Sequence, residues 1–455
     1  MVFSSTTFLF LFLPVVLLAY YNPIIKSRRW RNGCLLLSSL LFYGWGEPAF
    51  VFLMIFSVFV TWLCGLRIGC GTGKGALIAG TVYHIIILFI FKYLTFCAAQ
   101  LGLLLHKDFS FIRITLPIGI SFFTFQLMSY LFDIYYGKAQ KQKNPFYVGL
   151  YVSLFPQLIA GPIVRYEEVE QAIKVRHETY DDICRGMMRF IYGLGKKILI
   201  SNNMAQIADN CFDYLSNMSV AMAWLGAIAY TLQIYFDFSG YSDMAIGLGR
   251  MFGFHFSENF NYPYIARSIT DFWRRWHMSL STWFRDYVYI PLGGNRVSKR
   301  RWALNLFAVW LLTGIWHGAN WTFIAWGLLY YCLLMLEKQT NLQEKLGRLS
   351  HVYTLLVVIL LWVIFRATSL SGAFVYIGNL FGVGANGLVD PAFLGYLRST
   401  WFVLAMALVG STPVVRDLLA GKLRRLEPLW VTVVFVISIL QAVSSTYNPF
   451  IYFNF

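Results

Sequence analysis

The chain has 455 residues, 58% of them hydrophobic and only 13% charged, with a mean hydropathy of +0.60. A water-soluble domain of this length needs far more charge to cover its surface, so the composition excludes that class and makes this a polytopic membrane protein. The net charge of +16 does not point to nucleic acid, because Lys and Arg fall in short clusters between apolar runs, as the orientation rule for membrane proteins requires.

The N-terminal MVFSSTTFLFLFLPVVLLAYY has no Lys or Arg before its apolar run and no small-x-small cleavage site after it, so it reads as a retained first span. Lys26, Arg28, Arg29 and Arg31 place the next connection in the cytoplasm and the N-terminus outside. Further spans are predicted at about 33–46, 48–66, 76–100, 114–136, 186–206, 218–240, 352–367, 398–412 and 428–444. The glycine-rich loop 69–75 lacks the P-loop spacing and reads as a plain turn. Residues 146–163 are too short and too broken by Pro156, Gly161 and Pro162 to span, which predicts a re-entrant piece. Residues 165–189 read as an amphipathic helix on the cytoplasmic face, with His177 a solvated loop residue. Asp237 and Asp243 lie in or beside an apolar stretch and need partners; an ion pair or helix-end bond to an arginine such as Arg250 is favoured over a direct catalytic role. The uncharged tail FIYFNF should end outside. Seven cysteines without a C-x-x-C pair imply neither a disulfide framework nor a zinc site.

The stretch 261–302 carries eight Lys or Arg against two acids, Asp271 and Asp286, and belongs on the cytoplasmic side. Its first part reads as a helix in which Asp271 and Arg275 pair at four-residue spacing, while Trp273, Trp276 and His277 gather on an interfacial side. Pro291 and the Gly293–Gly294 pair then break it, forming a re-entrant floor. Most of the arginines obey the inside-positive rule, and one or two are left to grip an anionic ligand. The apolar run that follows, LLTGIWHGANWTFIAWGLLYY, holds His317 well inside the hydrocarbon layer, among Thr313, Gly314, Gly318 and Asn320. An ionisable group there is a functional-site hypothesis by default. The nucleophile elbow, the H-E-x-x-H zinc pair and the Walker A motif are all missing, and neither histidine begins an H-x-x-x-x-D pattern. A histidine acting as general base in a dry site remains, with His317 and His277 as the catalytic candidates.

Taken together, LPIGISFFTFQLMSYLFDIY, FPQLIAGPIVRY, YFDFSGYSDMAIGLGRMFGF, DFWRRWHMSLSTWFRDYVYIPLGGNR, LTGIWHGANW and FIYFNF resemble the membrane-bound O-acyltransferase family, in order and over nearly the whole chain. The resemblance implies an all-α membrane fold of about 11–12 spans in one domain, residues 1–455, with the catalytic region at about 230–330. It implies that His317 corresponds to the essential histidine and His277 to the second family position. Relatives take an acyl group from a cytoplasmic thioester, acetyl-CoA or an acyl carrier protein, and need no bound cofactor or metal. One branch passes acetyl groups, through an extracytoplasmic acetyltransferase partner, to a polysaccharide such as alginate; a sister branch moves D-alanine onto teichoic acid. On this reading Trp273, Arg274, Arg275 and Asn320 contact substrate, and the protein sits among the lipids of a bacterial inner membrane with both termini outside. The rival from another class is a transporter of a lipid-linked sugar with the histidines as a proton relay; it is disfavoured because neither histidine block recurs in the chain.

Overall fold

The computed structural model describes residues 1–159, 161–213, 218–445 and 447–451. No strand occurs among the described residues, and apolar runs and charged connectors alike fold into helices joined by turns. A helix satisfies its backbone hydrogen bonds within one segment, which is what a lipid surrounding demands. By length and composition, Phe50–Arg67, Lys74–Leu105, Leu342–Arg366, Pro391–Gly410 and Arg424–Ser444 are each able to cross a membrane.

Caps fix several helix ends. Ser27 accepts from the Trp30 backbone N–H to open Arg28–Gly46, and Asn144 and Asp390 each precede a proline in the first turn of Pro145–Ser153 and Pro391–Gly410. The predicted span 114–136 is helical only over Ile120–Tyr135, because Gly119 at φ 76 turns the chain just before it. The glycine-rich loop is a turn, with Gly71 and Gly73 both in the left-handed region at φ 69 and 77. Of the FIYFNF tail, residues 452–455 lie outside the described residues.

The chain packs as two compact units, Met1–Phe190 with Tyr241–Ser257, and Ile191–Gly240 with Glu258–Phe455. In the first, the stretch 146–163 holds two short helices, Pro145–Ser153, exposed at Phe146 and buried from Leu150 on, and the buried Phe155–Leu158. The charged stretch 165–189 is not one amphipathic helix. It divides into Tyr166–Lys174 and Tyr180–Gly195, because Arg176 turns inward between them. There its guanidinium donates to the Phe252 carbonyl (2.9 Å) and to Asn32 Oδ1 (2.7 Å), while Glu178 takes Arg31 at 2.6 Å. His177, between these two, is exposed as expected. In the same unit Asp243 pairs with Arg189 at 2.8 Å, and Arg250 with Asp182 at 2.9 Å.

The second unit carries both histidines of interest. Its core is aromatic, built from Tyr230, Tyr264, Phe272, Trp276, Trp326, Tyr330 and Trp362. Within it, Asp237 is paired with Lys197 at 2.6 Å, each side chain only 3% exposed, and also accepts from the Ile451 backbone N–H at 2.9 Å. Both aspartates are thus in ion pairs, as the sequence requires, but with Lys197 and Arg189 in place of Arg250. Breaking such a buried pair at one end leaves an uncompensated charge, at a cost of about 3–5 kcal/mol.

Candidate active site

Ser268 opens the central basic segment by accepting from the Asp271 N–H, starting the helix Ile269–Arg275. Asp271 and Arg275 form the expected four-residue pair at 2.9 Å. The helix then stops. His277 adopts φ 42, in the left-handed region, and a second helix, Met278–Phe284, leaves in a new direction before a wide turn at Arg285–Tyr289. Gly293 and Gly294, at φ 104 and 57, carry the chain round to the helix Lys299–His317.

The tryptophans of this segment are packing groups, not interfacial anchors. Trp276 is buried against Phe272 and Trp362, with ring centres 5.6 and 4.9 Å away. Trp273 meets Trp310 at 4.9 Å and Tyr330 at 5.0 Å, edge to face. The reason is that Trp276 belongs to the second unit's core and Trp273 packs against it. Arg274 is exposed, whereas Arg275 is held by Asp271 and by the Asn261 carbonyl at 3.3 Å.

His317 is the last residue of the Lys299–His317 helix, which folds back onto Trp321–Thr340 as a hairpin. Small residues allow the close crossing. A Cβ on Gly314 would lie 2.6 Å from the Phe323 carbonyl oxygen, and one on Gly327 would lie 2.5 Å from that of Trp310. Asn320 caps the returning helix: its Oδ1 accepts from the Thr322 N–H at 3.1 Å and its amide donates to the Thr368 carbonyl at 3.0 Å. The His317 ring, 9% exposed, is framed edge-on by Trp316, Trp326 and Phe365, with centres 5.0, 5.1 and 5.1 Å away.

His277 is 1% exposed. Phe238 meets its ring edge-on at 4.6 Å, and Trp316 lies 6.2 Å away. The indole of Trp316, which precedes His317 in the chain, therefore lies beside His277 as well, so the end of the Lys299–His317 helix packs near the His277 turn. Nδ1 of His277 lies 3.1 Å from Asn259 Oδ1, which also accepts from the Ser279 N–H at 3.2 Å. Burial lowers the basicity of this imidazole well below the ordinary histidine range, so it is neutral at physiological pH. Among the described residues no cluster of three His, Cys, Asp or Glu is placed to hold a metal ion. A neutral, buried imidazole with an unpartnered Nε2 is suited to accepting a hydrogen bond or a proton.

Sequence reasoning missed Asn259, Ser279 and Lys197. Asn259 lies in the irregular FSENFNYPY stretch, where no periodicity marks it, and Lys197 reads as one more member of a basic pair.

The chain is 40% identical over 490 aligned positions to the probable alginate O-acetylase AlgI of Pseudomonas putida, covering 100% of both chains. It is 46% identical over 397 residues to the protein of the same name in Pseudomonas aeruginosa, covering 84% of this chain and 75% of the relative. The peptidoglycan O-acetyltransferase of Helicobacter pylori is 36% identical over 428 residues, covering 85% and 81%. The model of the membrane-bound O-acyltransferase family matches residues 138–376, a stretch that contains both histidines and the loop that holds His277. The chain belongs to the membrane-bound O-acyltransferase family and is an acyltransferase of the membrane.

Proposed function

We propose that this protein, acting as one integral-membrane domain, moves an acetyl group from a cytoplasmic thioester to the hydroxyls of an extracytoplasmic polysaccharide. The observation that carries the reading is the packing of His277 beside Trp316, the residue next to His317, in a chain with relatives named for O-acetylation of alginate and of peptidoglycan. The thioester donor is acetyl-CoA or an acyl carrier protein, the acceptor is a glycan, and an extracytoplasmic acetyltransferase completes delivery. The protein occupies a bacterial inner membrane with both termini outside, which leaves the cationic clusters on the donor's side.

In this mechanism an acceptor O–H gives its proton to His317 as its oxygen attacks the thioester carbonyl carbon. The C–S bond breaks, the imidazolium returns the proton to the departing sulfur, and an ester and a thiol result. His277 orients the thioester. Of the residues expected near substrate, Arg274 is the exposed cation and fits the donor's phosphates best. Trp273 and Asn320 act through packing and through the hairpin cap. In the alternative covalent route the imidazole nitrogen itself attacks the thioester carbonyl carbon, the thiol leaves, and the acceptor hydroxyl then takes the acyl group from the histidine; absence of an acyl-histidine at every time point with labelled donor would remove it.

The deciding experiment is a deletion strain. Unacetylated polymer exported in normal amount supports transfer, and loss of export itself supports the rival transporter.

A further inference from the structure

We propose that Asn259 is the positioning residue of this site, holding His277 in the tautomer with its proton on Nδ1 and its lone pair on Nε2. The inference rests on the reading of His277 as part of the transfer site. Three groups converge on Asn259 Oδ1: His277 Nδ1 at 3.1 Å, the Ser279 backbone N at 3.2 Å and Ser279 Oγ at 2.9 Å. A backbone N–H can only donate, so the asparagine atom it faces is the carbonyl oxygen and not the amide nitrogen. A carbonyl oxygen can only accept, so the bond to Nδ1 requires a proton on Nδ1. A neutral imidazole has one N–H, and Nε2 is left as an acceptor. That nitrogen is buried and has no hydrogen-bond partner.

Asn259 is itself 1% exposed, and its backbone carbonyl accepts from the Met278 N–H at 2.9 Å. It therefore satisfies, with two different oxygens, the first two orphan donors of the Met278–Phe284 helix. The turn needs such support, since φ 42 is a strained backbone conformation for a residue that carries a side chain. Strain of this kind persists where the surroundings over-determine it, and here one asparagine fixes the backbone, the ring direction and the proton position together. A consequence follows for the chemistry. His277 accepts a hydrogen bond from an O–H or N–H of the bound reactants, and the role of donating one to the thioester carbonyl oxygen falls away.

The test is ¹⁵N NMR of the purified full-length protein labelled at histidine, with the His277 signals identified by their loss in His277→Gln. The wild type should show a protonated Nδ1 and an unprotonated Nε2. Asn259→Leu should move the proton toward Nε2 and lower transfer at least about tenfold, as loss of a histidine's orienting partner does elsewhere. Asn259→Asp, which keeps the acceptor, should keep Nδ1 protonated. A wild-type spectrum with the proton on Nε2 overturns the proposal, as does an unchanged tautomer in Asn259→Leu. Should Asn259→Leu fail to fold, the wild-type and Asn259→Asp spectra still decide. A His277→Gln protein with full transfer activity would instead remove His277 from the site, a different failure that leaves the tautomer result standing.

Discussion

His277 and His317 are held by different means, although one indole neighbours both. His317 ends a regular helix and is framed by three aromatic rings, with its backbone in an ordinary conformation up to that point. His277 sits between two short helices in a left-handed conformation, and a hydrogen-bonded asparagine fixes its ring. A hydrogen bond to a pure acceptor selects one tautomer of the His277 imidazole. That arrangement suits a group that presents one constant face to a substrate.

The largest expected effect tests the first half of that contrast. His317→Ala should leave the amount of inserted protein unchanged and reduce transfer by about 100-fold or more, the usual worth of general-base catalysis. Polysaccharide acylation in membranes of matched protein content measures it, and near-normal acylation would end the assignment. A change that moves His317 without touching its ring comes next. Gly314→Ala places a methyl 2.6 Å from the Phe323 carbonyl oxygen, and since backbone cannot yield as a side chain can, the hairpin should open. Overpacking of this kind costs about 1–3 kcal/mol, so the melting temperature in detergent should fall together with the rate. An unchanged melting temperature would mean that the close crossing is not what seats His317.

The second half of the contrast predicts a milder loss. His277→Ala should lower transfer by about tenfold, mainly through a weaker apparent affinity for the donor. His277→Gly should lose as much activity while melting higher than the alanine variant, because glycine adopts φ 42 without penalty. Equal stability of the two would show that the turn is unstrained. The smallest effect belongs to Asn320→Ala, which removes a helix cap worth about 1 kcal/mol. Its signature is a lower melting temperature with the donor KM unchanged, and a raised KM would return Asn320 to direct substrate contact.

What could be read along the chain was local or compositional. Scarce charge with clustered cations fixed the membrane class, long apolar runs gave the helices, and the four-residue spacing of Asp271 and Arg275 gave their ion pair. The two histidines stood out because ionisable groups are costly in apolar stretches, so depth alone made them candidates. Other features needed the folded chain. Trp276 looks like an interfacial anchor until its neighbours Phe272 and Trp362 are known, since the same ring serves either purpose and only packing decides. Asp237 demands a cation by its burial, yet several were available, and the approach of one helix to another chose Lys197. Asn259 carried no signal at all, because its partner lies 18 residues on, across a turn with no period. A helix reports its own faces through spacing of three and four, whereas a tautomer is set by an atom brought in from another segment, and that only tertiary structure supplies.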